Sequence, residues 1–133
     1  MKRALLVVLG ALVLAPQAAA KDLCVRITAS PARAVVGAPV TIRVQTFRTV
    51  ERGPDHVAPG EPLVLGSPGP ILLAYSPEGV MENPTLRQRR DRSIWEATVR
   101  FGRAGVWRLR TADETLLPPG CRGRIQLRVA ARR

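Results

Sequence analysis

The stretch Ser93-Ile94-Trp95-Glu96-Ala97-Thr98-Val99-Arg100-Phe101-Gly102-Arg103-Ala104-Gly105-Val106-Trp107-Arg108-Leu109-Arg110 sets the pattern for the whole chain. Trp95, Ala97, Val99 and Phe101 alternate with Ile94, Glu96, Thr98 and Arg100. A period of two puts successive side chains on opposite faces of a strand, so the first set faces a core and the second faces water. Residues 102–105 turn the chain, and Trp107 and Leu109 then alternate with Arg108 and Arg110. Two half-buried strands joined by so short a turn predict a hairpin. On it, Trp95 and Trp107 are both buried and lie close together.

The same period recurs on either side. Leu23, Val25 and Ile27 alternate with Cys24, Arg26 and Thr28, and Val40, Ile42 and Val44 alternate with Thr41, Arg43 and Gln45. Ile125, Leu127 and Val129 alternate with Arg124, Gln126 and Arg128, and residues 71–75 form an apolar run suited to a central strand. Residues 34–37 read as a short continuation that switches sheets, and residues 85–89 as a polar, arginine-rich edge strand. Residues 49–70, rich in proline and glycine, read as a long excursion with one short strand at 63–65. With 12 prolines and 11 glycines spread along the chain, no stretch of helical length carries an unbroken 3.6-residue stripe. The expected fold is all-β: an immunoglobulin-like, two-sheet antiparallel sandwich of about seven strands.

The N-terminus gives the compartment. Lys2 and Arg3 precede an apolar run over residues 4–14, and Pro16 and Ala18-Ala19-Ala20 follow it. This is the layout of a secretory signal peptide at residues 1–20, cleaved before Lys21. The run is too short for a comfortable membrane span. Residues 21–133 are then one exported domain, periplasmic or secreted, with no transmembrane segment. In that setting the two cysteines, Cys24 and Cys121, read as one disulfide. The bridge is expected between the first strand and the last, which lie side by side in many such sandwiches. Parity stands against this: Cys121 shares the alternation of Ile125, Leu127 and Val129, whereas Cys24 opposes that of its own strand. A bulge would reconcile the two.

The hairpin stretch resembles that of bacterial exported immunoglobulin-like domains of the YtkA-like type, whose pattern is an aromatic residue, then A-x-V-x-F, a tight Ala-Gly turn, then x-W-x-L. Gly37-Ala38-Pro39-Val40-Thr41-Ile42 resembles the G-x-P-V-T-I entry to the second strand of such modules. These are core and turn residues, so the resemblance implies a fold and leaves function open.

Several chemistries find little support. Copper-binding sandwiches of the CopC type place histidines and methionines at the chain start and on loops, as imidazole and soft ligands. Here the expected domain has His56 and Met81, neither at its start. His56 beside Asp55 supplies a base without a nucleophile in any recognisable context. Glu78, Glu82, Asp113 and Glu114 are spaced as turn-solvating groups. Asn83-Pro84-Thr85 resembles a loop tripeptide of small immunoglobulin-like cysteine-protease inhibitors, but it continues Leu86-Arg87 and follows a different strand. No catalytic, metal or cofactor residues are therefore expected.

Charge remains. The chain carries a formal net charge of +11, and Lys21 is the only lysine beyond the leader. Arg87, Arg89, Arg90 and Arg92 form the densest basic cluster, with Arg87 and Arg89 on one strand face and Arg90 and Arg92 at the adjoining turn. Aromatic residues make up only 4% of the chain, so stacking platforms for nucleic acid are lacking and no specific nucleic-acid partner is expected. The expectation is a non-catalytic binding or accessory module of the cell envelope. It would meet an unknown protein or an anionic envelope surface through its loops or this basic edge. The alternative is a periplasmic copper-trafficking accessory.

Overall fold

The computed structural model describes residues 22–54 and 56–133. The leader over residues 1–20, its cleavage before Lys21, and Asp55 lie outside the described residues. The strands are β1 (Leu23–Ser30), β2 (Ala34–Val35), β3 (Pro39–Gly53), β4 (His56–Pro62), β5 (Leu72–Tyr75), β6 (Met81–Glu82), β7 (Arg87–Gln88), β8 (Ile94–Arg100), β9 (Gly105–Thr111) and β10 (Ile125–Ala130). A 3-10 turn, Glu114–Leu116, precedes β10.

They form two five-stranded sheets. The first runs β1-β3-β8-β7, with β4 paired to the far end of β3; the second runs β2-β10-β9-β5-β6. Every pairing is antiparallel except that of β2 with β10. Seven strands of four residues or more carry the sandwich, and β2, β6 and β7 are two-residue edges. The alternating apolar residues from both sheets meet in one core, including Val40, Ile42, Val44, Leu72, Trp107 and Leu109, all buried. As expected, the segment at Ala34 switches sheets, pairing with Val129 at the edge of the second sheet.

Four expectations are corrected. First, β8 and β9 are not a hairpin: β8 pairs with β3 and β9 with β10 and β5, so residues 101–104 carry the chain from one sheet to the other. Second, both tryptophans are buried, but Trp107 packs on Phe101, with ring centroids 4.8 Å apart. Trp95 sits six residues before Phe101, roughly 20 Å away along an extended strand.

Third, the excursion after Thr49 is largely a β-hairpin. β3 runs on to Gly53 and β4 returns along it, with register shifts at Phe47/Thr49, where Pro62 and Pro59 lie opposite, and at Glu51/Gly53. Residues 63–65 are not a strand. Leu63 is bound to Thr46 by backbone and side chain, and Leu63 and Leu65 pack against the core. Gly69, at φ +74°, lies flat on the Trp95 ring, where a Cβ would collide with the indole. The segment is thus a plug over the Trp95 end of the core.

The fourth correction concerns the cysteines. Cys24 and Cys121 are bonded, with Cα atoms 4.3 Å apart. However, β1 and β10 belong to different sheets, and Cys121 lies in the loop before β10. That loop runs along the free edge of β1, where the Cys121 carbonyl accepts the Val25 N–H at 2.9 Å. Gly123 follows so close to the Val25 carbonyl that a side chain has no room. Cys24 faces Phe47 across the β1–β3 register, and the two close a second small cluster with Cys121 and Val57. The parity conflict therefore needs no bulge in β1, whose register is continuous from Leu23 to Ser30. Cys24 points away from the main core because its partner lies there.

Candidate functional site

On the outer face of the first sheet, register sets Thr28, Arg43, Glu96 and Arg87 in one row across β1, β3, β8 and β7. Each is out of phase with the core residues of its strand, and so each is directed outward. Glu96 is the acid of this row and only 15% of its side chain is exposed. Arg89 Nε lies 2.7 Å from Glu96 Oε1, and Arg43 Nη2 lies 3.4 Å from Oε2. One carboxylate thus organises two guanidinium groups, with Arg87 opposite it. Arg26 adds a further cation on this face, its guanidinium 5.0 Å from the centre of the Phe47 ring. Arg100, at the end of β8, donates from Nη1 to the Gly37 carbonyl at 2.8 Å.

All four arginines of the predicted cluster are exposed. Arg87 and Arg89 share the outer face as the alternation required. Arg90 and Arg92 sit in the turn between β7 and β8. Asp91 shapes that turn: its Oδ1 accepts from the Ser93 hydroxyl at 2.7 Å and from the Ser93 N–H at 3.1 Å. The Ser93 hydroxyl first, and its N–H second, hold the Asp91 carboxyl below its ordinary value. Gln88 donates to the Arg92 carbonyl at 2.9 Å and to the Leu65 carbonyl at 3.3 Å, tying the turn to the plug.

A groove of about 850 Å³ opens beside this face. It runs between β8 and the Asn83-Pro84-Thr85 segment, with Arg87, Arg89 and Arg100 along it and Glu82 at its rim. The arginines at 26, 43 and 100 escaped the sequence reading. Their outward phase was visible, but only the strand order β1-β3-β8-β7 brings them beside Arg87 and Arg89.

The second sheet has its own polar cluster, also missed from sequence. Glu114 is buried rather than solvating a turn: Arg124 Nη2 donates to its Oε1 at 2.7 Å and Arg110 Nη1 lies 3.7 Å away. Arg110 also donates to the Tyr75 hydroxyl at 2.8 Å and lies over that ring. This cluster anchors the 3-10 turn to β9 and reads as a tether. The remaining carboxylates are dispersed. Glu78 pairs with Arg103 at 3.2 Å. Its carboxyl is held below the ordinary value by its own backbone N–H first, with Arg103 assisting. Glu82 is exposed on β6, and Asp113 precedes the 3-10 turn. His56 and Met81 are both exposed, on β4 and β6. Among the described residues no three of His, Cys, Asp or Glu gather at one point.

No protein-family model matches the sequence, and no curated protein is similar to it in sequence. Among solved structures, the chain is similar to the crystal structure of the Lin-41 filamin domain. The TM-score is 0.52 over 83% of this chain and 93% of that one, at 16% sequence identity. Together with the two-sheet topology, this makes the chain an immunoglobulin-like β-sandwich. The disulfide fits an exported chain, and among the described residues no helix is long and apolar enough to cross a membrane.

Proposed function

We propose that this chain is a small exported binding or accessory module of the cell envelope that acts by contact rather than catalysis. Its contact surface is the arginine-rich outer face and edge formed by β1, β3, β7 and β8. The observation that carries this reading is the charge of that face. Arg26, Arg43, Arg87, Arg89 and Arg100 are arrayed there, two of them paired to the outward-facing, largely covered acid Glu96, with Arg90 and Arg92 on the adjoining turn. Guanidinium groups held by one shared carboxylate keep a fixed spacing and retain net positive charge, which suits an anionic partner. Within this reading we place the chain with bacterial exported immunoglobulin-like domains of the YtkA-like type, on its Gly37–Ile42 and Trp95–Leu109 motifs.

The test is a variant with Arg87, Arg89, Arg90 and Arg92 all changed to Gln, compared with the wild-type chain on immobilised heparin across a salt gradient. Circular dichroism establishes that the variant is folded. The variant should elute at clearly lower salt, because screening weakens exposed charge contacts. Equal elution of the two proteins refutes the reading.

A further inference from the structure

We infer that the β7 side of β8 is an open sheet edge that accepts an extended acidic segment of a partner protein as an added antiparallel strand. This deepens the proposed function and rests on it, since the added strand lies against the same arginines.

The two sides of β8 are paired over unequal lengths. β8 is paired with β3 along its whole course, from Gln45↔Ile94 to Pro39↔Arg100. On its other side β7 pairs only Arg87 with Glu96 and Gln88 with Trp95. The Arg89 N–H donates to the Ile94 carbonyl at 2.8 Å, which fixes the phase of that side. In an antiparallel ladder alternate residues direct both polar groups to the same neighbour. Ile94, Glu96, Thr98 and Arg100 therefore address the β7 side, and Trp95, Ala97 and Val99 address β3. β7 ends before it reaches Thr98, because the chain turns away at Asn83-Pro84-Thr85. Among the described residues no backbone group meets Thr98 or Arg100 on that side.

The groove lies at this vacated position, and Ala97, Val99 and Pro84 line it. An unpaired edge is a template for strand addition. Its side chains define the occupant. A strand continuing the line of β7 places alternate side chains on the outer face beside Thr98 and Arg100, with Arg87 and Arg89 next along. Those positions call for Asp or Glu. The intervening side chains turn inward over Ala97, Val99 and Pro84, and call for small apolar residues. Two carboxylates also line the groove, Glu82 and Glu96, and Glu96 is already paired with Arg43 and Arg89. The fitting partner is thus an extended segment in which acidic and small apolar residues alternate.

The experiment uses three fluorescein-labelled peptides of alternating Asp and Val, read by fluorescence anisotropy with the folded, disulfide-bonded protein. One peptide is unmodified, one is N-methylated at every Asp, and one at every Val. Residues opposite Thr98 and Arg100 direct their N–H groups to β8, so methylation at Asp should weaken binding about tenfold or more, while methylation at Val should leave it unchanged. Thr98→Pro removes one outward N–H, leaves the β3 ladder and the charge intact, and should weaken the unmodified peptide similarly. Three peptides binding alike would overturn the edge while leaving the charged face in place. Absence of peptide binding would overturn the edge too, and the heparin comparison then judges the proposed function separately. A dimer in sedimentation that Thr98→Pro makes monomeric would also overturn the inference, giving the edge to a second copy of this chain.

Discussion

Trp107 offers the sharpest test of the crossing between the sheets. It is 1% exposed, packs on Phe101 with ring planes 58° apart, and donates from Nε1 to the Arg103 carbonyl at 2.9 Å. That carbonyl belongs to the link between β8 and β9, so one side chain fills the core and fastens the crossing. Trp107→Ala removes both functions and should cost about 3–5 kcal/mol, the usual range for a large buried aromatic. For a urea m value of about 2 kcal/mol per molar, the unfolding midpoint falls by roughly 2 M. Trp107→Phe separates the contributions. It keeps a ring against Phe101 but leaves the Arg103 carbonyl to water, at a cost of about 1 kcal/mol beyond the lost ring area. Trp95 is the internal control. Its Nε1 is buried with no partner among the described residues, so Trp95→Phe forfeits no hydrogen bond and should be the milder substitution. The assay is equilibrium urea unfolding of the oxidised protein, followed by circular dichroism. A Trp107→Ala midpoint within a few tenths molar of wild type would refute the assignment. Trp95→Phe proving costlier than Trp107→Phe would refute the role given to the Arg103 bond.

Reducing the Cys24–Cys121 bond releases a constraint across a separation of 97 residues, which the chain-entropy model values at about 4–5 kcal/mol. Thermal unfolding with and without reductant should show a large fall in midpoint, and coincident curves would contradict this. Gly69→Ala should destabilise by more than about 2 kcal/mol, since it adds a positive-φ penalty to a collision with Trp95. Gly66→Ala, where a Cβ meets open space, should be nearly neutral, and equal effects in the two variants would discount the plug. The Asp91 carboxyl is held below its usual value, so its contribution is present above the unfolded carboxylate pKa and is lost as pH falls through the lower folded value. The Ser93 amide resonance should therefore titrate in the acid range in wild type and stay flat in Asp91→Asn.

Alternation marks burial but not partnership. The inward set of Trp95, Val99 and Phe101 was legible because period two survives any choice of neighbours. Whether β8 pairs with β9 or faces it across the core was not, because a four-residue link serves a hairpin and a crossing equally well. β4 was hidden by Pro59 and Pro62, which argue against a central strand but are tolerated where the register shifts. The arginine face was half legible. Arg87 and Arg89 stand together in sequence, whereas Arg26, Arg43 and Arg100 join them only through the order of strands. Glu114 looked like loop solvation because nothing local reveals that Arg110 and Arg124 return to it.

The bond between Cys24 and Cys121 makes most of the chain a ring, with β10 outside it. A protease cutting within the β3–β4 hairpin would open that ring without dividing the molecule, and the pieces would separate only under reduction. Tension applied to the two ends of the described chain would enter the ring at one cysteine and leave at the other. It would peel β10 from β9 and β2, while the chain between the two cysteines would not be pulled out lengthwise.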